Sequence, residues 1–317
     1  MTTVTYPFHK ILIPFDGSQA AHNALEWAAH LVLAGGGAVE RVALLRVIGG
    51  GYLARHLHNV DLRVTRMDEV AAWRRIRQHY LDQEILPLLE KGKQFLLEKG
   101  VSVPIEIKVA EGMIGDEIIR LADEGGYNAI VMGRRGLSVV KGMLLGSVTR
   151  RVLSLARGLT VFAVGQEKTF DPACPLPSVL LPVDGSEPSL EAVRQGAALV
   201  RQWIDCQPHL TLLHVIDFIQ VGASLNTGTT HLVKQGEEFL SAGRQILMEA
   251  GLEGLFTEKL LVGEPSRLII EEAEEDHQVL ILMGARGLSS IKQLLLGSVS
   301  SDVLHRVPRA VVGIVYL

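Results

Sequence analysis

The chain has 317 residues, of which 48% are hydrophobic and 21% charged, with a formal net charge of −4. That length provides for two domains of ordinary size, each able to bury its own core, and the slight acidity offers no basic field for nucleic acid or an anionic membrane surface. Its two cysteines, Cys174 and Cys206, supply neither a disulfide framework nor a CxxC metal site. This usage fits a cytoplasmic setting, and with no apolar run of membrane-spanning length the chain reads as having no signal peptide and no membrane span.

In chain order, KILIPFDGS (10–18) reads as a buried strand that stops at a turn able to cap a helix, and SVLLPVDGS (178–186) repeats it. An Ala-rich helical pattern follows each: QAAHNALEWAAHLVLAGGG from residue 19, EPSLEAVRQGAALVRQW from 187. Second strands are expected at 39–48 and 208–216, third strands at 103–112 and 256–265, helices at about 114–124 and 265–276, and fourth strands at 128–133 and 278–284. LTVFAV (159–164) and AVVGIVYL (310–317) close the two halves. Strands that are apolar nearly end to end and alternate with helices imply parallel sheets covered on both faces. The fold class is therefore α/β, two tandem open parallel-sheet layered domains related by a pseudo-two-fold. Residues 1–165 and 178–317 are the two domains, and the Pro-containing stretch 166–177 is the linker.

Asp16 and Gly133 are 117 positions apart, whereas Asp184 and Gly284 are 100 apart, so the first half carries about 17 extra residues. They fall between its second and third strands. This stretch and the loop 220–231 of the other half are positioned to cover the carboxyl edge of the sheet as lids.

The chemistry-bearing motif also occurs twice. Gly133-Arg134-Arg135-Gly136 precedes Gly146-Ser147-Val148 by nine residues, and Gly284-Ala285-Arg286-Gly287 precedes Gly297-Ser298-Val299 by the same nine. Residues 136–153 and 287–304 share 11 of 18 positions, which marks a duplication. Glycines leaving a strand allow close approach of an anion, because no Cβ intervenes and positive φ is accessible. Gly-Ser-Val then heads a helical pattern whose unpaired N–H groups and dipole favour negative charge. Open parallel sheets bind ligands at the carboxyl ends of their strands. Asp16 and Asp184 lie there, where a carboxylate can accept ribose hydroxyls.

The pattern Gly-x2-Gly-x9-Gly-Ser, with Asp-Gly-Ser closing the first strand, resembles the ATP-binding subgroup of the universal stress protein family, as a tandem two-domain member covering nearly the whole chain. The resemblance implies a five-stranded parallel sheet in each half, of the adenine nucleotide α hydrolase-like type, with ATP, accompanied or not by Mg2+, at its edge. It places Asp16 and Asp184 at the ribose and adenine region and the backbones of Val47 and Val215 on the adenine. Gly133, Gly136, Gly146, Ser147 and Val148 hold phosphates in the first half; Gly284, Gly287, Gly297, Ser298 and Val299 do so in the second. Two departures stand out: the insertion after the second strand, and Arg46 before Val47 where the other half has His214.

Arg134, Arg135 and Arg286 lie between the motif glycines, where they either neutralise phosphate or remain solvated. His56, His58 and Asp61 have metal-like spacing but lack a fourth ligand, so no protein metal site is assigned. WRRIRQH (73–79) reads as the wet face of a helix rather than a nucleic-acid patch, and Trp27, Trp73 and Trp203 read as core. There is no GxxxxGK[ST] loop, no GxGxxG after the first strand and no identifiable catalytic base. The leading reading is thus a non-enzymatic ATP-binding module. A slow ATPase or self-phosphorylating protein, with Ser147 and Ser298 as the suspects, and a scaffold without nucleotide remain the alternatives. The last strands 159–164 and 310–317 are expected to pair within one chain, because free apolar edges invite aggregation; an exposed face of 68–99 leaves a further homodimer open.

Overall fold

The structure, a computed structural model, describes residues 5–49, 74–75, 77–136, 145–167, 174–217, 219, 230–275, 280–287, 296–307 and 309–317. The first half runs β1 (Lys10–Pro14), α1 (Gln19–Gly35), β2 (Arg41–Ile48), α2 (Leu86–Glu98), β3 (Ile105–Glu111), α3 (Ile114–Gly125), β4 (Ala129–Gly133), α4 (Ser147–Leu155) and β5 (Thr160–Val164). The second repeats it: β6 (Ser178–Pro182), α5 (Glu187–Gln202), β7 (His209–Asp217), α6 (Thr230–Glu249), β8 (Phe256–Gly263), α7 (Pro265–Glu275), β9 (Leu280–Gly284), α8 (Ser298–Arg306) and β10 (Val311–Val315). The expected strands are all present, most of them a residue or two shorter at their ends.

Both halves contribute to one ten-stranded sheet, ordered β3-β2-β1-β4-β5-β10-β9-β6-β7-β8. Pairing is parallel within each half, and β5 meets β10 antiparallel with Phe162 opposite Gly313. The two closing strands thus hide each other's edges, as their apolar sequences demand. One core, under α1, α2, α5 and α6, contains Trp27, Phe162, Leu199 and Val311; the other, under α3, α4, α7 and α8, contains Ile130, Val161, Ile281 and Ile314. Each crosses from one half into the other. The sheet's outer strands instead carry charge: Glu106 and Lys108 pair on β3 at 3.0 Å, and Glu258 on β8 bonds Arg244 at 2.6 Å, which blunts those edges against further pairing.

The insertion can be placed. Residues 41–48 correspond to 209–216, and the end of α2 at Glu98 corresponds to the end of α6 at Glu249, so the spacing between equivalents shifts by 17 between Ile48 and α2. Just before α2 the helical ladder widens into a π turn, Leu81–Ile85. The metal-like trio His56, His58 and Asp61, together with Trp73, lies outside the described residues, as does most of the 220–231 loop. Arg77, from the basic cluster, pairs with Glu111. Trp27 is fully buried, and Trp203 packs half-buried against the same core. Among the described residues, no helix is long and apolar enough to cross a membrane.

Candidate nucleotide site

At the end of β1 the last ladder bond is Phe15 N–H to the Leu45 carbonyl, at 2.8 Å. The chain then turns at Gly17, whose φ of +79° suits glycine, and Ser18 caps α1 by accepting the Ala21 N–H at 3.2 Å. Asp16 Oδ1 accepts the Ser18 N–H at 3.0 Å, so the carboxylate is held across the turn with Oδ2 toward Gly136. The second half repeats this turn. Gly185 has φ +79°, and Asp184 Oδ1 accepts from Ser186 N–H at 3.1 Å and from its hydroxyl at 2.6 Å.

β4 ends at Gly133, whose carbonyl accepts the Thr149 hydroxyl at 3.0 Å, and the Gly146 N–H donates to the Arg134 carbonyl at 2.9 Å. These bonds set α4 beside the strand end. Gly146 is its N-cap and Ser147 its first residue, so the leading N–H groups open toward the sheet edge, with no acidic side chain in that first turn. In the second half the Ser300 hydroxyl bonds the Gly284 carbonyl at 2.9 Å, Gly297 N–H bonds the Ala285 carbonyl at 2.7 Å, and α8 starts at Ser298.

The glycines have other reasons than the expected one. None of the six motif glycines has a positive φ; Gly146 and Gly297 are extended, at φ −72° and −70°. At Gly133 a Cβ would lie 2.9 Å from the Ala20 carbonyl carbon, and at Gly284 it would lie 2.8 Å from Ser189 N. Those two are glycine because the first turn of α1 or α5 crosses the strand end. A Cβ at Gly136 or Gly287 would collide with the Asp16 or Asp184 carboxylate.

Arg134 also departs from expectation. It is 3% exposed and points away from the cradle, donating to the Val307 carbonyl and, at 2.7 Å, to the Ala310 carbonyl of the second half. Burial pulls its pKa down to about 10. Arg135, by contrast, lines the cavity.

Asp16, Val47, Gly133, Gly136, Gly146, Ser147 and Val148 all line one cavity of about 800 Å3. Successive residues of a strand turn their peptide groups to opposite edges. Because the Leu45 carbonyl faces β1 and the Ile48 carbonyl faces the other side, toward Gly112, the Val47 N–H and C=O face the gap left where β1 ends. Phe15, Tyr80 and Met132 line the same cavity and carry no signal in the sequence, whereas Arg46, which the sequence marks as a departure from the second half, lines it as well. Tyr80 immediately precedes the π turn, a feature without a sequence signature. The second half brings Asp184, Gly287 and the head of α8 together in the same way, and Val215 occupies the equivalent position on β7.

The model of the universal stress protein family matches residues 7–158 and again 176–314. Universal stress protein YxiE of Bacillus subtilis is 33% identical over 156 residues, covering 47% of this chain and 94% of that protein. Slr1230 of Synechocystis is 26% identical over 314 residues, 94% of this chain and 96% of the relative. A crystal structure of a universal stress protein from Archaeoglobus fulgidus covers 99% of this chain and 98% of its own at 22% identity, with a TM-score of 0.67, a likeness of fold.

Proposed function

The chain belongs to the universal stress protein family, both halves matching its model, and from that premise we propose that it is an adenine-nucleotide-binding module whose occupancy alters its surface or its partners. The observation that carries this is the convergence of seven sequence-assigned residues on one cavity of about 800 Å3, a size in the range of ligand pockets. Phosphates sit at the head of α4, Asp16 takes the ribose, and Val47 offers one donor and one acceptor to the base. Protein purified without added nucleotide is expected to release adenine nucleotide on denaturation, detected by mass spectrometry. Empty protein that also fails to bind added ATP favours the scaffold alternative.

Catalysis is not part of the proposal. Among the described residues lining the cavity, Asp16 is the sole carboxylate, one of its oxygens already accepts the Ser18 N–H, and neither lysine nor histidine is present. A bound Mg2+ would arrive with the triphosphate and find that carboxylate alone. Hydrolysis is expected at or below about 1 per second, the low end of the enzyme range. Faster steady turnover that is lost in Ser147→Ala or Ser298→Ala would make the protein an enzyme.

A further inference from the structure

The halves repeat each other around the cradle but differ beside Val47 and Val215. In the second half the neighbouring residue is His214, which is buried, bonds the Val183 carbonyl through Nδ1 at 2.7 Å, and sits edge-on to Phe239 with ring centres 5.2 Å apart. Phe239 in turn lies against Gly185 of the Asp-Gly-Ser turn. His214 is therefore committed to the protein. In the first half the residue is Arg46, which lines the cavity and whose Nε is buried with no hydrogen-bond partner among the described residues. A guanidinium has five N–H donors and no acceptor, so what satisfies it must accept.

Strand order fixes which end of a nucleotide meets it. β1 lies between β2 and β4, so the end of β2 stands two strand spacings, about 10 Å, from the strand that leads to the phosphate cradle. A nucleotide with phosphates at Gly146 and Ser147 brings its base to Val47 and Arg46. The single donor and single acceptor of Val47 can be satisfied by either purine. Arg46 adds donors only. Guanine presents two adjacent acceptors, O6 and N7, which a guanidinium takes bidentately, whereas adenine sets its N6 amino donor beside N7.

We propose that Arg46 gives the first site a preference for guanine nucleotides that the second site lacks. This rests on the cavity being a nucleotide site and specifies a base that it accepts. The test is calorimetric titration of the full chain with GTP and with ATP, repeated on Arg46→Met and on Arg46→His, which installs the second half's residue. ATP is expected to fill both sites, and GTP to favour one of them, giving two resolved affinities. In both variants the ratio of GTP to ATP affinity is expected to fall by about 5–150-fold, the range for one bidentate guanine contact. Wild-type binding of no GTP, or of GTP at two sites with equal affinity relative to ATP, overturns the assignment, as does an unchanged ratio in the variants. The wild-type comparison stands even if a variant fails to fold. Loss of ATP and GTP binding together would remove the nucleotide reading itself; ATP binding without GTP would remove the Arg46 assignment alone.

Discussion

Phe162→Ala is expected to cost about 3–5 kcal/mol and to lower the stability of both halves together. The ring is fully buried on β5, edge-on to Phe8 at 5.2 Å and near Trp27 at 6.3 Å between ring centres. Its ladder partner across the junction is Gly313 of β10, where a Cβ would come within 3.0 Å of the Phe162 ring. The side chain therefore fills space belonging to both halves, and shortening it leaves a cavity that neighbouring backbone cannot close. Because both cores run through the junction, calorimetry should show one cooperative transition at a lower temperature. A loss under about 1 kcal/mol, or a second half that unfolds at its original temperature, would mean that the halves are energetically separate.

Arg134→Ala is expected to be comparably damaging. The guanidinium serves the carbonyls of Val307 and Ala310, just beyond the C-terminal end of α8, where a positive charge also suits the helix dipole. Removing it strands two buried acceptors, at about 1–3 kcal/mol each, and leaves a void. Arg134→Met should recover the packing share and not the hydrogen-bonding share. Denaturant titration measures both variants. Equal stability of wild type and Arg134→Ala would show that the cost of dehydrating the charge cancels its contacts. The equivalent residue of the second half is Ala285, so no reciprocal arginine crosses back; there, Tyr316 donates to the Leu153 carbonyl at 2.5 Å.

The alternation of apolar strands and helices was legible in sequence because strands buried on both faces, such as Ala129–Gly133 and Leu280–Gly284, are almost wholly apolar. The junction was legible for the same reason, since Thr160–Val164 and Val311–Val315 are buried throughout and need partners. The assembly of Asp16, Val47 and Gly146 at one sheet edge followed from strand ends and identical spacing. The role of Arg134 was not legible, because the carbonyls it meets lie more than 170 positions away in sequence. Gly133 looked like a phosphate glycine, but the nearness of Ala20 exists only once α1 has packed across β4. Arg46 was visible as a difference from His214. The burial of its Nε depends on the packed fold and has no signature in the sequence.

Counting ATP bound per chain tests the two-site reading most directly. Equilibrium dialysis of the intact protein is expected to give two nucleotides per chain, falling to one in Gly146→Val, to one in Gly297→Val and to none in the double variant. Both positions have φ and ψ that valine adopts readily, and the nearest atom to a Cβ on Gly146 is 3.4 Å away, so the fold should survive while the side chain occupies the phosphate position. Losing the N-cap glycine should itself cost no more than about 1 kcal/mol, which circular dichroism and thermal unfolding can confirm. Unchanged saturation at two nucleotides in the folded double variant would contradict the assignment of phosphates to the heads of α4 and α8.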